Sequence, residues 1–350
     1  MSNAPEALRE VAARVDVRLK SFLLAERTRW TAFDLDLTVV FDELERMVVG
    51  GGKRLRPVFT YWGFVGAGGK RDDPRVVDAG AAFELLHAFA LFHDDIMDGS
   101  VTRRGATTTH ESLQAQHRAR AWAGDARRFG DGTAILIGDL SFVYSDVLLS
   151  GLGSRGWQMW NELRVELNVG QYLDMLGSAQ NERSPEKAAR ICRYKSGKYT
   201  IERPLHLGAL LADEKTNLLD AYSAYGLPLG DAFQLRDDVL GVYGESSVTG
   251  KPVGDDLREA KPTPLMALAL QRATTSQRAV LERVGRAALT ATDIAEVQQA
   301  IVDSGALKEM ESTISRLTSE AIAAIMNAPV GGDVRDRLVE LAHFVSDRRV

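Results

Sequence analysis

Apolar residues recur at helical spacing along most of this 350-residue chain. In the first such segment these residues are Leu8, Val11, Val15 and Leu19. Alanine, leucine, arginine and glutamate, which are good helix formers, are frequent in residues 186–211, 277–289 and 334–345. Strand-type alternation is scarce, and the sequence contains no Asn-Gly hairpin signal. The pattern therefore predicts an all-α fold.

The organisation of the chain favours one domain. Length alone would suggest two, but neither a repeat of fixed period nor a linker divides the sequence, so we predict a single helical domain over residues 1–350. Pro204 and Pro228 lie inside helical patterns and should kink or interrupt them. The polar, arginine-rich stretch 99–132 should form a loop and a short helix.

Composition excludes several classes of protein. The net charge of −5 gives no reason to expect nucleic acid as a partner. The single cysteine, Cys192, excludes an internal disulfide framework and favours a reducing, cytoplasmic location. Residues 1–10 do not resemble a secretory signal. The most apolar run, 79–92, is interrupted by Glu84 and His87, so we predict no membrane span.

Two groups of aspartates stand close to basic residues. The first group is Asp94, Asp95 and Asp98, with Arg103 and Arg104 after it. The second is Asp237 and Asp238, with Gln234 before it and Lys251 and Lys261 after it. Crowded carboxylates repel each other unless a cation neutralises them, and Mg²⁺ prefers oxygen ligands from carboxylates, water and phosphate. Because arginine and lysine bind phosphate, the pattern predicts a diphosphate held through Mg²⁺.

Helix geometry arranges the first group. Asp94 and Asp98 are four residues apart and share one helical face, where both can contact the same ions. Asp95 lies about 100° around the helix and is better placed as a hydrogen-bonding group. His87 lies two helical turns before Asp94, as either a ligand or a core histidine.

Two further segments carry candidate phosphate contacts. Glycines 50–52 lead into Lys53 and Arg56, and a flexible backbone lets a chain approach an anion closely. Lys195 and Ser196 combine an ammonium with a hydroxyl. Each segment alone is also compatible with an ordinary solvated turn or surface.

Taken in order, these motifs resemble the trans-isoprenyl diphosphate synthases, the polyprenyl synthetase family of farnesyl and geranylgeranyl diphosphate synthases. The motifs are Gly-Gly-Lys-Arg-Leu-Arg-Pro at 51–57, the aspartate motif with Thr-Arg-Arg-Gly at 94–105, Lys-Ser at 195–196, Gln-Leu-Arg-Asp-Asp at 234–238, and the segment 250–261. The resemblance implies a bundle of long helices around a deep central cavity, and a homodimer.

The resemblance also implies roles for single residues. Mg²⁺ would be bound by Asp94, Asp98 and Asp237. The allylic diphosphate would be held by Arg103, Lys195 and Lys251, with Ser196, Gln234 and Lys261 nearby; of these, the catalytic set is Arg103, Lys195, Lys251 and Gln234. Isopentenyl diphosphate would be held by Lys53, Arg56, His87 and Arg104. Departure of the allylic diphosphate would leave a cation that the double bond of isopentenyl diphosphate attacks.

Product length should depend on residues that precede Asp94 on the same helix. In the family, an aromatic residue five positions before the motif, with a small residue at the fourth, stops growth near four isoprene units. Phe89 and Ala90 fit that pattern, and Leu86 lies about one helical turn before Phe89. The expected product is geranylgeranyl diphosphate, with farnesyl diphosphate as the alternative.

The sequence departs from the family at two positions. Gly241 stands where the second motif commonly has a third aspartate, and Ser196 stands where threonine is common. We expect Gly241→Asp to be tolerated. Two alternative functions stay open: the chain is a class I terpene cyclase, or it is a non-catalytic subunit of a heteromeric synthase. No Asn/Asp-x-x-Ser/Thr-x-x-x-Glu pattern replaces the second motif, as a cyclase would need, and the intact first motif argues against a non-catalytic subunit.

Overall fold

The computed structural model describes residues 4–180, 184–244, 253–261, 263–286 and 288–347. Regular structure in these segments is almost entirely helical, which confirms the all-α prediction. The chain forms two compact units. This grouping does not test whether the chain folds as one domain, so the single-domain bundle stays a prediction.

The first unit contains the described residues up to Trp157 together with Leu207–Thr216. Its elements are α1 (Glu6–Thr31), a 3-10 turn (Leu35–Leu37), α2 (Thr38–Val49), α3 (Leu55–Gly66), α4 (Pro74–Met97), β1 (Thr102–Arg103), β2 (Ala106–Thr107), α5 (Thr109–Ala119) and α6 (Ala126–Val147). Two more helices, α7 (Ser154–Ala179) and α9 (Arg203–Ala212), each contain a boundary between the units.

Helix α4 is the core helix of the first unit. Asp73 caps it by accepting a hydrogen bond from the Arg75 N–H, and Pro74 occupies its first turn. By length and composition alone α4 could cross a membrane, but 61% of its most apolar window is buried inside the protein, as expected of a core helix. A β-carbon at Gly138 of α6 would overlap the ring of His93, so the missing side chain lets α6 pack closely on α4.

The arginine-rich stretch after α4 contains a hairpin that the sequence did not predict. Thr102 pairs with Thr107, and Arg103 pairs with Ala106. The two turn residues, Arg104 and Gly105, have φ angles of 52° and 76°. Positive φ at both positions is the geometry of a tight two-residue hairpin turn, which an Arg-Gly pair signals more weakly than Asn-Gly.

The second unit contains Gln158–His206 and the described residues from Asn217 onward. Its elements, besides parts of α7 and α9, are α8 (Pro185–Cys192), a π-helix (Arg193–Glu202), α10 (Leu219–Tyr243), α11 (Asp255–Arg258), α12 (Pro264–Arg272), α13 (Thr275–Leu281), α14 (Ala291–Asp303), α15 (Ala306–Met326) and α16 (Gly332–Ser346). The predicted helix over 277–289 ends at Leu281, whereas Pro228 lies inside α10 without interrupting it.

The π-helix is the irregular element of the second unit. The sequence predicted ordinary helix over 186–211, but the wider turns run from Arg193 to Glu202, immediately before Pro204. A β-carbon at Gly230 of α10 would lie 2.6 Å from the carbonyl oxygen of Gly197, so these backbones meet without side chains between them. π-type turns within helices are frequent at functional sites, and this ten-residue π-helix contains Lys195 and Ser196.

A buried carboxylate on α7 anchors the end of the π-helix. Glu166 accepts hydrogen bonds from Arg203 Nε at 2.8 Å and Arg203 Nη2 at 2.6 Å, and it also pairs with Lys198. Burial opposes its ionisation, yet the bonds from Arg203 and Lys198 hold the pKa of Glu166 below its usual value. The ion pairs therefore fix the backbone that follows Lys195.

Candidate active site

Positive charge converges on His87 in the first unit. Burial lowers the pKa of His87 well below its ordinary value, and four neighbouring guanidiniums lower it further. They belong to Arg56, Arg104, Arg103 and Arg54. The structure thus brings together three residues predicted to hold isopentenyl diphosphate, Arg56, His87 and Arg104. A dense group of cations of this kind attracts an anion.

Arg54, which the sequence did not single out, lies buried beneath the glycine turn. It is 4% exposed and has a φ of 52°. Its Nε donates to Asp16 Oδ1 at 2.8 Å, its Nη2 donates to the Val48 carbonyl at 2.8 Å, and its Nη1 pairs with Glu84. Burial lowers the pKa of Arg54, but Glu84 and Asp16 raise it more. These bonds fix the start of α3, and with it the neighbours Lys53 and Arg56.

Arg104 joins the hairpin to the same turn. Its Nη1 donates to the carbonyl oxygen of Gly51 at 2.6 Å. Gly51 and Gly52 have φ angles of 108° and 145°, and a β-carbon at Gly52 would lie 3.2 Å from Arg54 Nη1. Residue 52 therefore favours glycine for two reasons: its φ is positive, and a side chain there would crowd Arg54.

The first aspartate motif lies at the end of α4, with Arg103 beside it. The Asp98 N–H donates to the Asp94 carbonyl at 2.8 Å, so the helical turn places these two residues on one face. Arg103 Nε donates to Asp95 Oδ1 at 2.6 Å, and Arg103 Nη2 lies 3.6 Å from Asp94 Oδ2. Asp95 is buried and takes the hydrogen-bonding place expected of it.

The second aspartate motif lies on α10 in the second unit. Asp238 is 3% exposed and accepts a hydrogen bond from Gln234 Nε2 at 3.0 Å; its Oδ2 has no hydrogen-bond partner among the described residues. Burial raises the pKa of Asp238 well above its usual value, and the charges of Asp256 and Asp237 raise it further. Lys261 Nζ lies 2.7 Å from Glu259 Oε2 and 3.8 Å from Asp256 Oδ1.

Lys195 has a partner that the sequence did not identify. Its Nζ donates to Asp174 Oδ2 of α7 at 2.6 Å. A β-carbon at Gly170 would lie 2.5 Å from the Lys195 backbone nitrogen, so α7 and the π-helix are in backbone contact. Ser196 is partly buried beside it. Lys251, predicted to share the same diphosphate, lies outside the described residues.

The chain-length residues lie on α4 in the first unit. Leu86 is fully buried, while Phe89 and Ala90 are partly exposed. The Phe89 ring centroid lies 4.7 Å from that of His93 and 4.8 Å from that of Phe142 on α6. Phe142 was missed because nothing in the local sequence connects α6 with this position.

The residues present fit Mg²⁺ supplied together with a diphosphate. Among the described residues, no group of three or more His, Cys, Asp or Glu side chains is arranged to hold a metal ion by itself. Burial raises the pKa of Asp95, Arg103 opposes this, and the neighbouring Asp94 raises the pKa again. Burial and the charges of Asp256 and Asp237 raise the pKa of Asp238. A cation would relieve this repulsion, and Mg²⁺ needs only one or two protein carboxylates when phosphate and water complete its shell.

Comparison with known proteins identifies the family. The sequence model of the polyprenyl synthetase family matches residues 38–303. The chain belongs to the polyprenyl synthetase family. It is 31% identical to the geranylfarnesyl diphosphate synthase of Aeropyrum pernix, covering 86% of this chain and 92% of the relative. It is also 31% identical to a geranylgeranyl diphosphate synthase of Mycobacterium tuberculosis, covering 85% and 80%.

A solved structure agrees with this assignment. The geranylgeranyl pyrophosphate synthase of Corynebacterium glutamicum, complexed with isoprenyl diphosphate and magnesium, superimposes with a TM-score of 0.92 at 38% identity and covers 98% of this chain and 99% of the other. This polyprenyl synthetase is therefore a prenyltransferase. The two sequence relatives are named for products of different length, so family membership leaves product length to be argued from residues.

The low pKa of His87 predicts how stability depends on pH. Because the folded-state pKa lies below the unfolded value of 6.5, neutral His87 contributes stability that is complete above pH 6.5 and is lost as the pH falls through the folded pKa. We expect His87→Gln to lose less unfolding free energy between pH 7 and pH 5.5 than the wild type does, by up to about 1.4 kcal/mol per pH unit.

Urea denaturation without substrate measures this difference. The pKa of His206 is also lowered, chiefly by burial, so the wild type and His87→Gln both retain that contribution. Substitution of the exposed His343 by glutamine is the matched control and should follow the wild type. Parallel curves for His87→Gln and the wild type would show that the folded protein does not hold His87 neutral.

Proposed function

We propose that this chain is a Mg²⁺-dependent prenyltransferase that condenses isopentenyl diphosphate with allylic diphosphates to make geranylgeranyl diphosphate. The observation that carries the proposal is that the hairpin after α4 holds Arg103 beside the first aspartate motif and Arg104 on the glycine turn. This amount of cationic charge suits diphosphate groups, and the second unit supplies a further cation, Lys195, beside its own carboxylates.

The residues divide the work between two substrates. Lys53, Arg56, His87 and Arg104 bind isopentenyl diphosphate. Arg103, Lys195 and Lys251 bind the allylic diphosphate, with Ser196, Gln234 and Lys261 nearby. A neutral His87 is able to donate one hydrogen bond without adding charge to the arginine group. Arg103 is held near Asp94 by its bond to Asp95, so its guanidinium is already positioned.

The reaction breaks the allylic C–O bond and forms one C–C bond. Asp94, Asp98 and Asp237 would hold Mg²⁺, which supplies positive charge that stabilises the departing diphosphate. Arg103 and Lys195 neutralise the same diphosphate, so the electron pair of the C–O bond leaves with it. The double bond of isopentenyl diphosphate then attacks the allylic cation. The proton lost from the new chain passes to the diphosphate that has left.

The proposed product length rests on α4. Phe89 lies five residues, or about 7.5 Å along the helix axis, before Asp94, and Ala90 leaves room beside it. Phe89 packs on Phe142 with ring centroids 4.8 Å apart, so two aromatic rings and the buried Leu86 would form the floor that stops growth. The family resemblance associates an aromatic residue at this position with geranylgeranyl diphosphate as the product, and farnesyl diphosphate is the second candidate.

An incubation with Mg²⁺, labelled isopentenyl diphosphate and an allylic diphosphate tests the activity and the product together. Chromatography of the dephosphorylated products should give geranylgeraniol. Farnesol would correct the product alone. A cyclic hydrocarbon made from the allylic substrate alone would indicate a cyclase, and no product would support a non-catalytic subunit.

We expect Phe89→Ala to lengthen the product and Ala90→Phe to shorten it. Removing the Phe89 ring opens the floor, although Phe142 stays in place, so the double variant Phe89→Ala/Phe142→Ala should lengthen the product further. Chromatography of the same extracts measures the distribution. Arg127→Ala, at an exposed position near the start of α6, is the control. An unchanged distribution of product lengths in Phe89→Ala, Ala90→Phe and the double variant would show that other residues form the floor.

Exposed apolar residues on α6 support a homodimer. Leu136, Val143 and Val147 are 68%, 55% and 54% exposed and recur after seven and four residues, on one helical face. Such a stripe of apolar side chains on a solvent-exposed helix face is typical of an interaction surface. We infer that a second copy of this chain covers it. The cytoplasmic location stays a prediction from the single cysteine.

A further inference from the structure

A buried polar network holds the junction at which the π-helix passes into α9. The π-helix ends at Glu202, and α9 begins at the next residue, Arg203. Ser223 of α10 donates from its Oγ to Glu202 Oε1 at 2.7 Å. On the other side, Glu166 of α7 binds both Arg203 and Lys198. Extended π-type turns are rare in proteins, and this one is thus held by hydrogen bonds from two neighbouring helices.

His206 of α9 connects the two sides of this network. Its Nε2 lies 3.1 Å from Ser223 Oγ and 3.0 Å from the Leu219 carbonyl oxygen, while its Nδ1 lies 3.5 Å from Arg203 Nη1. Because a guanidinium has only donors, we assign the ring proton to Nε2. Burial lowers the pKa of His206, Glu202 raises it and Arg203 lowers it again, which agrees with a neutral ring.

The network is ionic although it is buried. Its two carboxylates, Glu166 and Glu202, and its two cations, Lys198 and Arg203, have side chains that are between 5% and 15% exposed. Replacing buried ion pairs by apolar side chains is often neutral or stabilising for a fold. Apolar contacts have less directional preference than hydrogen bonds, so they would fix the register of a helix less firmly. The network therefore suits a backbone that must adopt one position.

Lys198 connects the network with the candidate phosphate contacts. Its ammonium, which binds Glu166, lies 5.2 Å from the centroid of the Tyr194 ring, within the range of a cation–π contact. Tyr194 directly precedes Lys195, whose ammonium donates to Asp174 of α7. A shift of the junction would therefore displace Lys195 as well.

We propose that Glu202, His206 and Ser223 are positioning residues, which hold the π-helix in the register that directs Lys195 to the allylic diphosphate. They act through Lys195 rather than on the substrate. This inference rests on the proposed function, in which Lys195 binds that diphosphate.

A double-mutant cycle tests the coupling between Ser223 and Lys195. The variants are Ser223→Ala, Lys195→Ala and the combination of both, with Ser223→Thr as the variant that keeps the hydroxyl. Calorimetric titration with geranyl diphosphate and Mg²⁺, without isopentenyl diphosphate, measures affinity when no condensation takes place. Ser319→Ala is the matched control and should bind like the wild type. This exposed serine of α15 donates within its own helix, to the Ser315 carbonyl at 2.9 Å.

Ser223→Ala should bind geranyl diphosphate roughly three- to tenfold more weakly, as expected for one lost hydrogen bond, and should bind isopentenyl diphosphate within about twofold of the wild type. With Lys195 already replaced by alanine, the same substitution should change the affinity by less than about twofold, because the group that it positions is absent. Ser223→Thr should stay within about twofold of the wild type. Glu202→Gln, which keeps the shape of the side chain, should weaken binding as Ser223→Ala does.

Three outcomes would overturn the inference. Unchanged affinity in Ser223→Ala and Glu202→Gln would exclude a positioning role. An equal loss with and without Lys195 would show that Ser223 does not act through the lysine. A loss in Ser223→Thr as large as that in Ser223→Ala would show that the hydroxyl is not the group that acts.

The product assay separates this inference from the proposed function. Condensation by the wild type, together with an additive cycle, removes the inference alone. A coupled cycle without any condensation by the wild type removes the proposed prenyl transfer, while the positioning of Lys195 towards an allylic diphosphate remains.

Discussion

Replacing Asp94 or Asp98 by alanine should lower turnover by a factor of roughly 100 or more while the protein still folds. A metal site contributes several kcal/mol to transition-state stabilisation, and each 1.4 kcal/mol is about a factor of ten in rate. The fold should survive because each substitution removes one of several crowded negative charges. Asp98 also follows the carboxyl end of α4, where a negative charge is unfavourable.

Steady-state rates at saturating Mg²⁺ and both substrates test this expectation, with circular dichroism as the check on folding. Asp72→Ala, an exposed acid before α4, is the matched control and should keep wild-type turnover. Near-normal turnover in either Asp94→Ala or Asp98→Ala would show that these carboxylates do not hold the metal.

The helices could be predicted from the sequence because their apolar periodicity follows directly from burying one face. The periodicity of Leu8 to Leu19 and of residues 334–345 led to α1 and α16 for this reason. The hairpin at Thr102–Thr107 was missed because its turn depends on a distant contact. Arg104 has a positive φ while its side chain donates to the Gly51 carbonyl, 53 residues earlier. The conformational propensities of neighbouring residues carry no information about such a long-range hydrogen bond.

The same distinction applies to the site. The motif residues could be recognised because each group lies within a few positions of the chain, as Asp94, Asp98 and Arg103 do. The residues that were missed act on partners far away in sequence. Glu84 pairs with Arg54 over 30 residues, and Asp174 pairs with Lys195 over 21. The sequence shows Gly241 only as a missing acid, whereas in the fold a β-carbon at residue 241 would overlap the carboxylate of Asp256.

The division of the substrates predicts opposite effects for Arg104→Ala and Lys195→Ala. Arg104→Ala should mainly weaken isopentenyl diphosphate, because Arg104 belongs to the group around His87. Lys195→Ala should mainly weaken the allylic substrate. The loss of one charge-assisted contact costs about 1.5–3 kcal/mol, which corresponds to a factor of roughly 10 to 150 in affinity.

Apparent affinities for the two substrates, each measured at saturation of the other, decide between the assignments. Arg104→Ala also removes the hydrogen bond to Gly51, so Arg104→Lys is measured beside it. If Arg104 acts through its charge, the lysine variant should regain part of the affinity for isopentenyl diphosphate. If Arg104 is purely structural, the lysine variant should not regain it. Lys195→Ala alone would leave the Asp174 carboxylate without the ammonium that donates to it at 2.6 Å. A variant that replaces Asp174 together with Lys195 avoids this unpaired carboxylate. Equal effects on both substrates in both variants would mean that the two groups of cations do not serve separate diphosphates.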